Sequence, residues 1–430
     1  MTDGQTTDGG GVNASYVGPQ TNIAGVTEAR VVEALQHDHG QDARLLSWSC
    51  HDFTNKGDNY VAAITSVNVN FSKDGRDEEA TYVVKIKQNR NSDFDNMVFM
   101  KESGFYTQLL PLLNAELTNA GMAPLRIPRC LHSTWHESQS QLFLEDLRPL
   151  GFKLYDRRKP LCPRHATLVL QELGRLHAAS LLLQSRSPEG DLESRFPFLT
   201  WEMFNYSEKI KTAFRVLITG SLHTASLLAE AVEREDMRAW FESLGPRAVE
   251  ALVQVMGSSP PFDVIGHGDC WINNILFRYD AQGQPVEVML LDFQLCRKAS
   301  LAVDLNYFLF SSMAAAERND KLEDLLATYY AALREVVEAA RVTVPFALEE
   351  VIAEFYKKTI LGLIFGTLAI PALLCEAKEA QEFTVASGEH THNYVVKKRE
   401  SVLKMVKNNP LMRPRLMSLY EDVKLYAANT

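Results

Sequence analysis

Apolar and polar positions follow two different periods along this chain, and the change of period divides it. From Val26 to about Asp146 the dominant pattern is that of strands. Arg44–Cys50, Tyr60–Phe71 and Thr81–Ile86 are runs rich in β-branched and aromatic residues, bounded by turn formers such as Ser72-Lys-Asp-Gly-Arg76. Arg126–Trp135 and Gln141–Asp146 read as two more strands. Two stretches depart from that pattern. Thr27–Leu35, with Thr27 as its N-cap, and about Phe94–Leu110 carry helical spacing. Past Asp146 the helical period takes over, in Ala166–Leu183, Leu322–Val337 and Phe346–Leu374. One exception lies inside it. Ile275–Phe277 and Val288–Leu291 are short apolar runs joined by Tyr279-Asp-Ala-Gln-Gly-Gln-Pro285, as in a strand–turn–strand. The pattern predicts an α+β chain in two lobes, the first rich in strands and the second mainly helical.

That internal hairpin carries the chemistry. The loop before it reads His267-Gly-Asp-Cys-Trp-Ile-Asn-Asn274, and Asp292 follows its second strand. A hairpin brings Asp269, Asn274 and Asp292 to one end of the same strand pair. Two carboxylates and an amide there suit Mg²⁺, which takes hard oxygen ligands and keeps water and phosphate oxygens for the rest of its shell. In the first lobe, Lys85 alone reads as a solvated strand lysine. The next helix changes that reading. Val98, Phe99, Phe105, Tyr106 and Leu109 place Glu102 in the middle of the apolar stripe. A carboxylate buried there is costly unless paired, and Lys85 is the natural partner.

Composition narrows the class. The chain of 430 residues has 46% hydrophobic and 23% charged residues, which suits a globular protein with a large core. A net charge of -10, with no long basic run, argues against nucleic acid as a partner. The six cysteines are scattered without a Cys-x-x-Cys pair, as expected of reduced thiols. Met1–Gln20 is polar with no apolar core, so a disordered tail is expected rather than a signal peptide. Thr359–Cys375 is almost wholly apolar, but Gly362, Gly366 and Pro371 favour a buried helix over a membrane span. A cytoplasmic protein without an obligate protein partner is the expectation.

Asp269 with Asn274 five residues on, then a strand ending in Asp292-Phe293-Gln294, resembles the catalytic loop and metal-binding Asp-Phe of protein kinases. His-Gly-Asp in place of His-Arg-Asp, and Asp-Phe-Gln in place of Asp-Phe-Gly, turn the resemblance towards the aminoglycoside phosphotransferase and choline kinase group. The nearest likeness is to the ecdysteroid-kinase-like (CHK-kinase-like) family, in which His-Gly-Asp-x-Trp-x-Asn-Asn and Asp-Phe-Gln occur together. The resemblance implies a bilobal protein-kinase-like fold, with a tail at 1–25, an N-lobe at 26–147 and a C-lobe at 148–430. It implies ATP and Mg²⁺ as cofactors and a small-molecule alcohol as the acceptor, an ecdysteroid or another apolar alcohol. A choline or aminoglycoside kinase and a non-catalytic nucleotide-binding relative are the alternatives.

The roles follow residue by residue. Asn274 and Asp292 would hold Mg²⁺, Lys85 fixed by Glu102 would place the nucleotide phosphates, and Asp269 would serve as base with His267 orienting its loop. Asn55-Lys-Gly-Asp-Asn-Tyr60, with Gly57, would cover the nucleotide, although Ala62 stands where the family often has a hydroxyl residue. Backbone near Asp146 and Leu147 would meet the adenine, unless the acidic residues there are plain surface or cap positions. His177 is expected to be a satisfied core histidine. Asp304 would either support the catalytic loop or cap a helix. Ser187–Phe241 has no chemical signature, and an acceptor pocket is one use for it.

Overall fold

The structure is a computed structural model that describes residues 25–52, 62–87, 92–135, 140–188, 191–231, 233–374, 400, 403–404 and 406–429. The expected tail and the Asn55–Tyr60 turn with Gly57 lie outside the described residues, as does Cys375.

After α1 (Glu28–His39) come β1 (Arg44–Asp52), β2 (Ala62–Lys73) and β3 (Arg76–Lys87). They join β4 (Cys130–Thr134) and β5 (Gln141–Glu145) in an antiparallel sheet of order β1-β2-β3-β5-β4. The strand period of two then sorts β3 by face. Tyr82, Val84 and Ile86 pack with Val31 and Leu35 of α1 in a small core of their own. Val83 and Lys85, at the alternate positions, turn to the opposite face, and Val83 packs there against the large core. That alternation aims Lys85 away from α1 and towards the next helix.

That helix is not the single α-helix that the spacing predicts. α2 (Asp93–Gly104) starts at Ser92, whose hydroxyl accepts the Asp95 N–H, and a π-turn at Phe105–Leu109 carries the chain into α3 (Leu110–Asn119). The π-turn inserts an extra residue into the helical register. With it Phe105 and Tyr106 both reach the ring of Phe293, far along the chain. Aromatic packing across the molecule has overridden the local α period.

The second part is helical around α4 (Pro163–Arg186) and α10 (Ala315–Ala339). Its large core takes in Phe99, Phe105 and Leu109 as well as Leu170, Phe293 and Phe308, so α2 and the π-turn belong to the helical core more than to the sheet. Two small sheets follow: β7 (Asp263–Gly266) pairs with β10 (Arg297–Ser300), and β6 (Lys153–Leu154), β8 (Ile275–Tyr279) and β9 (Pro285–Leu290) form a second sheet in that order. The expected long helix at Phe346–Leu374 is broken at Lys358 into α11 (Leu348–Lys357) and α12 (Thr359–Leu374), which meet at 55°. α12 is nearly all buried, as its composition predicts. Among the described residues no single helix is long and apolar enough to cross a membrane, although the bent pair α11 and α12 passes on length and composition taken together.

Candidate active site

The loop after β7 is held from behind. Gly268 has φ +79, and a Cβ on it would lie 2.0 Å from the Leu295 carbonyl oxygen. No side chain fits there, which explains Gly where protein kinases have Arg. α9 (Leu301–Ser312) begins at Ser300, whose hydroxyl accepts the Ala302 N–H as N-cap. Asp304 on its first turn therefore serves the loop instead: it accepts the N–H groups of His267 (2.6 Å) and Gly268 (2.9 Å). His177 Nε2 lies 3.0 Å from the same carboxylate, and its Nδ1 lies 2.7 Å from the Tyr329 hydroxyl. Burial opposes the charge on Asp304, yet these donors and the nearby imidazoles hold its carboxyl down at about 2. His177 is the satisfied core histidine expected, and it works as an anchor.

The front of the loop is different. Asp269 is buried; the Tyr307 hydroxyl donates to its Oδ1 (2.7 Å) and the Asn274 amide to its Oδ2 (3.0 Å). Burial pushes the Asp269 carboxyl up to about 7, and the charge of Asp292 adds to this, while hydrogen bonds from Tyr307, Asn274 and Gln294 pull the other way. His267 accepts the Asp269 N–H at Nδ1 (3.3 Å) and stacks on Phe293 with centroids 4.3 Å apart. Burial lowers its pKa, against the pull of Asp304 and Asp292. Phe293 also stacks on Phe105 at 3.9 Å, which makes a three-ring column from the π-turn to His267 of the loop after β7.

Asp292 has φ 67, a left-handed conformation rarely adopted by a residue with a side chain and one that costs about 1–3 kcal/mol. Lys85 Nζ lies 3.0 Å from Asp292 Oδ1 and 2.7 Å from both Glu102 oxygens. Burial works to lower the Lys85 pKa, but Asp292 and Glu102 together raise it, so the ammonium is retained. Burial raises the Glu102 carboxyl against the pull of Lys85. Lys85 thus joins Glu102 and Asp292, and Asp269 bonded to Asn274 forms a second pair near enough to feel the charge of Asp292.

The donors on this face are oxygens. Asn274 spends its amide nitrogen on Asp269 and Asp292 meets Lys85 through Oδ1, so the Asn274 side-chain oxygen and Asp292 Oδ2 are the oxygens that would serve a cation. No group of three or more His, Cys, Asp or Glu that could hold a metal by itself occurs among the described residues. Such a sparse oxygen set fits Mg²⁺ that shares its shell with phosphates and water, and does not fit an all-protein cage.

At the expected adenine contact, the Leu147 carbonyl accepts the N–H groups of Leu150 and Phe152 (both 3.2 Å). The Asp146 carboxylate binds Arg148 (Nη2–Oδ2 2.6 Å), which helps to hold it below its usual pKa despite burial. Several site residues have roles that the sequence does not single out. Phe293 has a partner visible only in three dimensions, and Tyr307 could have been found as one helical turn beyond Asp304. Arg297 donates to the Gly268 carbonyl (3.0 Å) and to Glu202 (2.8 Å), bonds that bring together residues far apart in sequence.

A family model described as the ecdysteroid kinase-like family matches residues 56–342, two thirds of the chain. The chain belongs to that family. A similar solved structure is an aminoglycoside phosphotransferase from Streptomyces rimosus in complex with ADP and streptomycin. It shares 13% identity over 78% of this chain and 98% of its own, with a TM-score of 0.31, a likeness too slight to carry weight. No curated protein sequence matches the chain. The ecdysteroid kinase-like span contains the whole cluster, from Lys85 through Asp292 to the anchors Asp304 and Tyr329. α11, α12 and α13 (Met412–Asn429) lie beyond it.

Proposed function

We propose that this ecdysteroid kinase-like protein is an ATP-dependent phosphotransferase that moves the γ-phosphate to a hydroxyl of a small molecule. The observation that carries this reading is Lys85 bridging Glu102 and Asp292 beside an Asp269 that is buried, hydrogen-bonded and raised to about 7. The bond from the acceptor oxygen to the γ-phosphorus forms as the bond to the β–γ bridging oxygen breaks. Asp269 orients the acceptor hydroxyl and takes its proton, and a carboxylate with pKa near 7 is suited to that exchange. Lys85, held by Glu102, positions the α- and β-phosphates. Asn274 and Asp292 would hold Mg²⁺, which supplies neutralisation of the charge that spreads over the phosphate oxygens during transfer. His267 and Asp304 keep Asp269 in place.

The acceptor is proposed to be an uncharged alcohol, an ecdysteroid or another apolar hydroxyl compound. A cationic acceptor such as choline or an aminoglycoside would need carboxylates to spare near Asp269. Beside the loop Arg297 is a buried cation, and Glu202 is already committed to it. A scaffold that binds nucleotide without chemistry has no need of an Asp269 kept at high pKa by burial. The test is ADP release with Mg²⁺ and ATP over a panel of ecdysteroids, choline and aminoglycosides, with Asp269→Ala as control. Turnover of an uncharged alcohol that is lost in the variant supports the proposal. Turnover of choline or an aminoglycoside alone would replace the acceptor class, and turnover that survives in the variant would remove Asp269 from its role.

A further inference from the structure

A second set of buried polar groups converges on one short segment. Residues 196–206 run from the end of α5 (Asp191–Arg195), through a single 3₁₀ turn at Pro197–Thr200, to the start of α6 (Glu208–Ala231). The segment folds on itself: the Glu202 N–H donates to Asn205 Oδ1 (2.8 Å), and Asn205 Nδ2 donates to the Thr200 carbonyl (3.2 Å). Two buried basic side chains bond to it. Lys101, 1% exposed, donates from Nζ to the Trp201 carbonyl at 2.6 Å. Arg297, 4% exposed, donates from Nη1 to Glu202 and from Nη2 to the carbonyl of Gly268, the residue before Asp269. Contact with α2 is close as well. Gly104 lies so near Phe198 that a Cβ would fall 2.6 Å from the ring.

The position of Lys101 is what gives this grip a consequence. It immediately precedes Glu102, and the two side chains leave the same turn of α2 in different directions, one to the segment and one to Lys85. An unbroken path of covalent and hydrogen bonds therefore runs from the Gly268 carbonyl through Arg297, Glu202, Trp201 and Lys101 to Glu102. Burial lowers the Lys101 pKa against the pull of Glu202, and a lysine is an expensive way to fill this space, since an apolar side chain would pack there without desolvating a polar group. A hydrogen bond, by contrast, is directional and fixes one position of α2 against the segment.

We propose that residues 196–206 form a latch that couples the catalytic loop to the Lys85–Glu102 pair, with Lys101 and Arg297 as its positioning residues. The latch rests on the kinase reading of the site. Seated, it holds Glu102 where Lys85 can meet nucleotide phosphates. Displaced, it lets α2 and Glu102 shift. Coupling between sites is reciprocal, so the segment that senses the catalytic loop also sets the affinity for nucleotide.

The test is a double-mutant cycle on the Kd for Mg·ATP, measured by calorimetry with the full chain. Lys101→Met keeps the stem and removes the amino group, and it is expected to weaken binding roughly fivefold to tenfold, the usual size of coupling between sites. In a Glu102→Gln background the same change is expected to add nothing, because its effect passes through Glu102. Glu202→Gln, part-exposed and with no contact to Lys85, is expected to weaken binding in the same direction. The latch is overturned if Lys101→Met binds as the parent does, or if its loss persists undiminished with Gln at 102, the mark of a lysine that only props the fold. Should Lys101→Met fail to fold, Glu202→Gln decides: weaker binding supports the latch and unchanged binding removes it. A parent chain without affinity for Mg·ATP would bring down the kinase reading and the latch together, whereas parent binding with unaffected variants sinks the latch alone.

Discussion

Asp269 and Asp304 sit at the front and the back of one loop, both buried, and their surroundings push them in opposite directions. At the back, Asp304 meets two backbone N–H groups and an imidazole, and its charge is welcome. At the front, Asp269 meets a hydroxyl, amides and a second carboxylate, and its charge is resisted. Burial opposes both charges; at Asp304 the donors overcome it, whereas at Asp269 burial and the charge of Asp292 prevail over the donors. The back of the loop holds a fixed charge, and the front holds a carboxyl whose pKa is raised to about 7. Pairs of titratable groups with pKa values pushed apart mark divided labour of this kind.

The comparison can be broken most sharply at its front. Asp269→Asn should lower the rate of phosphate transfer by about 10²–10⁴-fold, the usual worth of a positioned base. Its folded state should suffer little. The folded pKa of Asp269, about 7, lies above its unfolded value, so the unfolded chain releases that proton first as pH rises from about 4 to about 7, and stability drains away over that window. Removing the carboxyl abolishes the loss, so the melting temperature at pH 8 should equal or exceed that of the parent.

Asp304→Asn should do the reverse to stability. A folded pKa of about 2 against an ordinary carboxylate corresponds to about 2 kcal/mol of stabilisation. The contribution is present in full above the unfolded pKa, near 4, and is lost as pH falls through the folded value. Urea melts should therefore show a gap between parent and Asp304→Asn that is constant from pH 7 to pH 5 and narrows below pH 4. A gap that does not change down to pH 3 would deny the ionised state of Asp304.

The smallest effect sharpens the comparison at a single oxygen. Tyr307→Phe removes one donor that draws the Asp269 pKa down. The acid limb of the pH–rate profile should move to higher pH, with only a modest loss at the plateau. An unmoved limb would mean that Tyr307 packs and does not tune.

The sequence carried the front of the loop better than the back. Asp269, Asn274 and Asp292 declare themselves because one hairpin gathers them, and Lys85 with Glu102 because a carboxylate in an apolar stripe demands a partner. Asp304 was readable only as one of two uses, since a first-turn aspartate looks the same as a cap until Ser300 is seen in that post. Lys101, Glu202 and Arg297 were silent, for a charged residue reveals nothing of a partner that folding brings from about a hundred residues away. The π-turn was silent too, because the rings that favour it meet Phe293 only after folding.

The most direct measurement follows ADP release and thermal unfolding on the same samples of parent and Asp269→Asn at pH 8, with Mg·ATP and an accepted alcohol. The account predicts a parent that turns over, and a variant that does not and melts at the same temperature or higher. A variant that still transfers phosphate, or that loses activity only because it unfolds, would contradict the role assigned to the front of the loop.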